Sequence, residues 1–309
     1  MALTEEKLLK WSVQESTSIS SEAYHFIKSH LFKLPFVIEH HNNFEAFLQG
    51  SYANATNIKN DSDVDIVLKY DNIYQCDNTS LSEREKKEFN EYFNDAQLTF
   101  KEYKDTIFTQ LKKELSGLSR VRSIEYKPKS IKISLQNPNI DVDVVPCFEY
   151  RKYSSFSIND PLNVDNYIEG ISFYNTIDNS FIVNYPKQHI KNGECKNNKY
   201  NTDGRYKITI RFMKKIKSIL VDNYLISEKK VSSYFIENLL YNVPNYCYNN
   251  SCMETYKNIV NYLSTAPLNT FICQHKQWKL FGSESTQWNI EDAKLFVRLL
   301  NDVKNGYYI

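Results

Sequence analysis

Apolar residues recur at helical spacing between residues 4 and 34: Leu8, Leu9 and Trp11, then Ala23, Phe26, Ile27 and Leu31. The serine-rich stretch Ser16–Ser21 either interrupts this helix or begins a second one. Two alternating runs, Phe44–Leu48 and Val64–Tyr70, predict strands. Residues 82–116 read as charged helix, with Phe89, Phe93, Tyr103, Ile107, Leu111 and Leu115 on its apolar face. Ser130–Leu135 and Ile140–Val145 alternate as strands, and Pro146 is expected to end the second. After about residue 155 the pattern turns loop-rich, and Asn192–Gly204 reads as a polar loop. Amphipathic helices are then predicted at Tyr206–Leu225, 232–243, 251–263 and 290–304. The order of elements predicts an α+β lobe over residues 1–155 and a mostly helical lobe over 156–309.

Composition narrows the class. The 309 residues are 41% hydrophobic and 24% charged, with a formal net charge of +1, which argues against a large nucleic-acid-binding surface. No apolar run is long enough to cross a membrane. The start, MALTEEKLLKWS, lacks the apolar core of a signal peptide, so a cytoplasmic protein is expected. The six cysteines show no pairing pattern and read as reduced thiols. Cys247, Cys252, Cys273 and His275 lack the compact Cys-x-x-Cys spacing, so no zinc is expected. His189 and His275 are read as structural.

The chemistry concentrates in residues 49–68, QGSYANATNIKNDSDVDIVL. Gly50 permits a tight turn and close backbone approach, and Ser51 adds a hydroxyl donor. Asp63 and Asp65 alternate on a strand, so their carboxylates share a face. A second run, IDVDVVP at 140–146, places Asp141 and Asp143 on one face of another strand. Solvated strand carboxylates are the plainer reading, but acidic residues are depleted in strands and here two strands carry doubled ones. Three carboxylates beside a glycine turn suit two Mg²⁺ ions (or Mn²⁺) about 3.5–4 Å apart, bridging a hydroxyl nucleophile and a triphosphate.

Gly-Ser, a short spacer, Asp-x-Asp and a later Asp before Val-Val-Pro together resemble the DNA-polymerase-β-like nucleotidyltransferases. Within them, the 49–68 segment is similar to the bacterial cGAS/DncV-like enzymes (CD-NTases) of anti-phage signalling. FIVNYPKQH at 181–189, RYKITIRFMKKIK at 205–217 and SSYFIENLLYNVP at 232–244 resemble the second lobe of that family. The resemblance implies a two-lobed core, with a mixed sheet and a helical lobe closing the active-site cleft. It implies Asp63, Asp65 and Asp143 as catalytic metal ligands, and leaves Asp141 without a role. Gln49, Gly50 and Ser51 would contact triphosphate. Lys207, Arg211 and Lys214 share one helix face; the Ile210-Arg211-x-x-Lys214 pattern implies that Lys214 binds donor phosphates, while Arg211 would pair with an acidic residue. Ser233 and Tyr234 match a phosphate-touching and base-stacking pair, although a serine there also suits a helix cap.

The implied activity joins nucleoside triphosphates, as donor and acceptor, into a cyclic di- or trinucleotide that acts through an effector protein. Three alternatives stand beside it: a non-catalytic nucleotide-binding scaffold, against which the intact aspartates argue; transfer to a non-nucleotide or RNA acceptor; and a nucleic-acid-activated linear oligonucleotide synthetase. The cations Lys112, Lys113, Arg120, Arg122, Lys127, Lys129 and Lys132 motivate the last, but no counterpart of the animal sensor's zinc insertion is found, so a nucleic-acid activator is not expected. Base choice, linkage and ring size are not encoded in any of these motifs.

Overall fold

In the computed structural model, residues 3–14, 17–58, 63–93 and 96–308 are described. The chain opens with α1 (Glu5–Ser12), α2 (Ser18–Leu31) and α3 (Pro35–Glu39), then β1 (Phe44–Gln49) and the short α4 (Gly50–Ala53). β2 (Asp63–Asp77), α5 (Glu83–Tyr92) and α6 (Phe100–Leu115) follow, then β3 (Val121–Tyr126), β4 (Ile131–Leu135) and β5 (Ile140–Tyr153). β6 (Tyr167–Tyr174) and β7 (Phe181–Asn184) precede α7 (Pro186–Asn197), α8 (Arg205–Asp222), α9 (Ser233–Tyr241), α10 (Cys252–Thr265) and α11 (Ile290–Lys304). The fold is α+β.

Two compact units divide this chain. The sheet unit holds Thr17–Gln49 and Ser62–Pro186, and the helical unit holds Met1–Ser16, Gly50–Asp61 and Lys187–Ile309. This differs from the single cut at 155 expected above. β6 and β7 extend the sheet past that point, and α1 joins the helices because Glu5 accepts hydrogen bonds from the Cys252 and Met253 amides at the start of α10.

The sheet runs β1-β2-β5-β4-β3, with β6 on β5 and β7 on β6. β2 and β5 pair in parallel and the other pairs are antiparallel, so the sheet is mixed. One face of the central pair presents Val64, Ile66, Val142 and Val144, each 0% exposed, toward α2 and α6. Tyr103 of α6 stacks on Phe148 at 5.3 Å between ring centres and donates its hydroxyl to the Leu68 carbonyl. The opposite face is left for the aspartates. Capping boxes at Ser82 and Thr99 begin α5 and α6 separately, splitting the single helix expected over 82–116.

Pro146 does not end β5. The antiparallel partner β4 stops at Val144 and β6 begins at Phe148, so the proline falls where β5 changes partners and costs no antiparallel bond. The polar stretch after Asn192 is helical up to Asn197, against the loop expected there. Tertiary contact overrides composition: Asn192 donates to the Gln274 carbonyl, and Gly193 lies so close to Gln274 that an added Cβ would come within 2.5 Å of its amide nitrogen. The helical unit's core gathers Tyr206, Phe212, Ile216, Phe235, Tyr256 and Phe296 around α8.

The tight approach at Gly193 generates a test. Gly193→Ala should destabilise the chain by about 1–3 kcal/mol, the usual cost of overpacking, because the Gln274 amide also donates to the His189 carbonyl. Thermal melting at an unchanged midpoint would contradict this packing.

Candidate active site

The register of the sheet assembles a row of polar side chains. Gln49 on β1 lies opposite Asp65 on β2, Asp65 opposite Asp143 on β5, and Asp143 opposite Lys132 on β4. Directly paired residues share a face, so these four side chains project together. One step along, Asp63 pairs with Asp141 and Asp141 with Ser134.

The environments separate the acids. Asp63 is exposed. Burial, aided by the Asp143 and Asp63 charges, pushes the Asp65 carboxyl up to about 7. Burial also raises Asp143, against a hydrogen bond donated by the Ser130 hydroxyl at 2.7 Å. Asp141 goes the other way: Lys132 binds its Oδ2 at 2.8 Å and holds it below the usual carboxylate range, with Arg122 at 3.9 Å from Oδ1. Asp141 is thus already neutralised by a local cation, whereas Asp65 and Asp143 are acids crowded by other acids.

That contrast tests the fit of the implied cation. The donors are hard carboxylate oxygens in a partly desolvated, negatively charged cluster, which suits Mg²⁺ or Mn²⁺. Among the described residues, no three metal-binding side chains close into a cage. This is compatible with Mg²⁺, which keeps several waters and usually takes one or two carboxylates plus substrate phosphates. Asp63, Asp65 and Asp143 therefore fit the group.

The other expected residues lie in the helical unit. Gly50 takes a positive φ of 70° and opens α4; its carbonyl accepts from the Asn54 backbone and side-chain amides, and that of Ser51 from the Thr56 amide. Ser232, not Ser233, caps α9 by accepting from the Phe235 amide. Ser233 is the first helical residue, half-buried. Tyr234 is 40% exposed, and its ring packs on His189 at 4.8 Å and Trp288 at 5.8 Å.

The basic face of α8 is not where a phosphate-binding face would be expected. Lys207, Arg211 and Lys214 are 8%, 9% and 0% exposed. Lys207 pairs with Glu194, and Arg211 donates to the Ser12 and Ala55 carbonyls instead of pairing with an acid. The Lys214 ammonium donates to the Thr56 carbonyl at 3.0 Å and lies 3.5 Å from Glu237. In this structure the ammonium is fully buried and hydrogen-bonded within the chain.

Thr56 and Glu237 are not singled out by the motifs, and His189 is read as structural. Lys132 was visible only as one of several cations, since its place beside Asp143 depends on the β4–β5 register. Four of those cations are matched by nearby acids: Arg120 by Glu22, Arg122 and Lys132 by Asp141, and Lys127 by Glu125.

Comparison with known proteins gives the class, that of the nucleotidyltransferases. Residues 191–305 match the cGAS/DncV-like nucleotidyltransferase C-terminal helical domain. The chain is 37% identical to a cyclic nucleotide synthase, CdnE01, of Staphylococcus haemolyticus, over 99% of this chain and 100% of that one. The solved CdnE c-UMP-AMP synthase of Rhodothermus marinus, with Apcpp and Upnpp, superposes with a TM-score of 0.83 at 32% identity, covering 99% of this chain and 97% of that chain. The CdnE cyclic dinucleotide synthase of Elizabethkingia meningoseptica, with GTP and Apcpp, gives 0.75 at 28% identity, over 97% and 98%. The chain belongs to the cGAS/DncV-like nucleotidyltransferases and is an enzyme of the cyclic-oligonucleotide-forming type. Among the described residues no helix is long and apolar enough to cross a membrane.

The raised Asp65 carboxyl carries a stability signature. It binds its proton more tightly folded than unfolded, so its contribution to stability is full below about pH 4 and is lost as pH rises through about 7. In EDTA at pH 8, Asp65→Asn should raise the melting midpoint by about 2–4 °C for each kcal/mol of repulsion relieved. Added Mg²⁺ should then stabilise the wild type more than the variant. A variant that melts lower in EDTA would contradict the electrostatic assignment.

Proposed function

We propose that the chain joins two nucleoside triphosphates into a cyclic dinucleotide in two successive transfers. The observation that carries this reading is the in-register placement of Asp65 between Gln49 and Asp143, with Asp63 one step away on the same face. In each transfer a ribose 2′- or 3′-hydroxyl oxygen bonds to the α-phosphorus of a triphosphate. The bond from that phosphorus to the bridging oxygen breaks, and pyrophosphate leaves with its electron pair. The hydroxyl proton passes to solvent. The second transfer, within the linear intermediate, closes the ring.

Asp63, Asp65 and Asp143 would hold two Mg²⁺ ions, whose charge lowers the pKa of the attacking hydroxyl and stabilises the triphosphate and departing pyrophosphate. Ser130 orients Asp143 through its hydrogen bond. The Lys132–Asp141 pair occupies the next positions and leaves Asp141 outside the ligand set. Gln49, Gly50 and Ser51 contact the triphosphate, Ser233 a phosphate oxygen, and Tyr234 stacks a base, an interaction typically contributing about 1–3 kcal/mol per base. Lys214 serves the triphosphate indirectly, by holding the Thr56 carbonyl. The product signals in the cytoplasm through a cyclic-nucleotide-responsive effector in anti-phage defence, a role that rests on kinship alone.

Purified chain with all four nucleoside triphosphates and Mg²⁺ should yield phosphatase-resistant products whose masses match cyclic dinucleotides, without added DNA or RNA. They should disappear in Asp63→Asn/Asp65→Asn. Linear products alone, a requirement for another acceptor, or full activity in the double variant would each contradict the reading.

A further inference from the structure

Four polar side chains from four parts of the helical unit meet in its interior. Thr56 donates its hydroxyl to Glu237 Oε1 at 2.6 Å, and His189 Nε2 bonds Oε2 at 2.9 Å. Lys214 Nζ stands 3.5 Å from Oε1 and donates to the Thr56 carbonyl. Their exposures are 1% for Thr56, 3% for His189, 0% for Lys214 and 3% for Glu237. The His189 hydrogen bond and the Lys214 charge hold the Glu237 carboxyl below its usual range, against the opposing effect of burial.

Burying an ion pair is costly, and a well-packed apolar cluster often stabilises a core as well or better. Stability therefore does not account for this arrangement, but its connections do. Thr56 ends the turn that begins at Gly50: its amide donates to the Ser51 carbonyl at 2.9 Å. The preceding residue, Ala55, is held at a positive φ of 53°, with its carbonyl on Arg211. On the other side, the His189 ring lies against Tyr234, one helical turn before Glu237. Among the described residues, Glu237 is the acid that joins these contacts between the glycine turn and the exposed tyrosine.

We propose that Glu237 is a positioning residue that couples the Gly50–Ser51 turn to the Tyr234 platform, through Thr56 and Lys214 on one side and His189 on the other. A nucleoside triphosphate then meets phosphate and base subsites fixed in one mutual arrangement. The carboxylate also sets the histidine tautomer, placing the proton on Nε2, while the buried Nδ1 has no hydrogen-bond partner among the described residues. This rests on the reading that the turn binds triphosphate and Tyr234 binds a base.

The test compares two probes by calorimetry with Mg²⁺ present: inorganic tripolyphosphate, which can report only the phosphate subsite, and a non-hydrolysable nucleoside triphosphate. Two control variants check the underlying reading. Ser51→Ala should weaken both probes, and Tyr234→Ala only the nucleotide. If Ser51→Ala leaves tripolyphosphate binding unchanged, that reading fails, and the coupling with it. With the controls as expected, the decisive variant is His189→Phe, which alters the network on the base side. Coupling predicts that it weakens tripolyphosphate about tenfold, or about 1.4 kcal/mol, as Thr56→Val does from the phosphate side. A general loss of fold would lower the bound fraction in the titration, not the affinity of the folded molecules. Unchanged tripolyphosphate affinity in His189→Phe, with nucleotide affinity reduced, would overturn the coupling while leaving both subsites intact. Glu237→Gln should reproduce the tenfold loss for both probes. Should it not fold, His189→Phe and Thr56→Val decide the matter.

Discussion

The parallel pairing of β2 with β5 is the constraint on which the chemistry depends. Strand alternation alone puts Asp63 with Asp65, and Asp141 with Asp143, but not the two pairs together. The β2–β5 register does that, setting Asp65 beside Asp143 and Asp63 beside Asp141. The same alternation sends Val64, Ile66, Val142 and Val144 to the buried face under α2 and α6. A slip of one residue would bury the carboxylates and expose the valines, so the hydrophobic core and the acidic row specify one register together. The repulsion that this register imposes on Asp65 is the feature that a divalent cation would relieve.

A second set of charges lies within the helical unit. Its buried groups fix backbone: Arg211 and Lys214 donate to the carbonyls of Ala55 and Thr56, the residues that follow the glycine turn. Both cations have long aliphatic stems, a shape that lets a buried side chain keep its charged head on polar atoms. The glycine turn thus has a short helix of only Gly50–Ala53 and little packing of its own, and side chains on α8 and α9 define where it ends.

Much of this was legible in the sequence. Alternation and acidic doublets located both strands that carry the aspartates, and a run of motifs located the family. The three helices α9, α10 and α11 fell where apolar periodicity put them. What was hidden was set by distant partners. β3, β6 and β7 are short or half-buried, and their existence depends on the neighbours they extend. α7 forms in a polar, glycine-containing stretch because Gln274 packs against it. Lys214 belongs to a basic stripe that reads as a binding face, and only the tertiary structure shows the stripe turned inward onto carbonyls and acids. Lys132 likewise gained meaning only once β4 was placed against β5.

The central claim is that Asp63, Asp65 and Asp143 hold the reacting metals while Asp141 serves Lys132. Mn²⁺ titration followed by electron paramagnetic resonance, with a saturating non-hydrolysable nucleoside triphosphate, tests it most directly. The account predicts about two tightly bound ions per chain, fewer in Asp143→Asn, and an unchanged number in Asp141→Asn. Loss of bound ions in Asp141→Asn, with Asp143→Asn behaving as wild type, would contradict it.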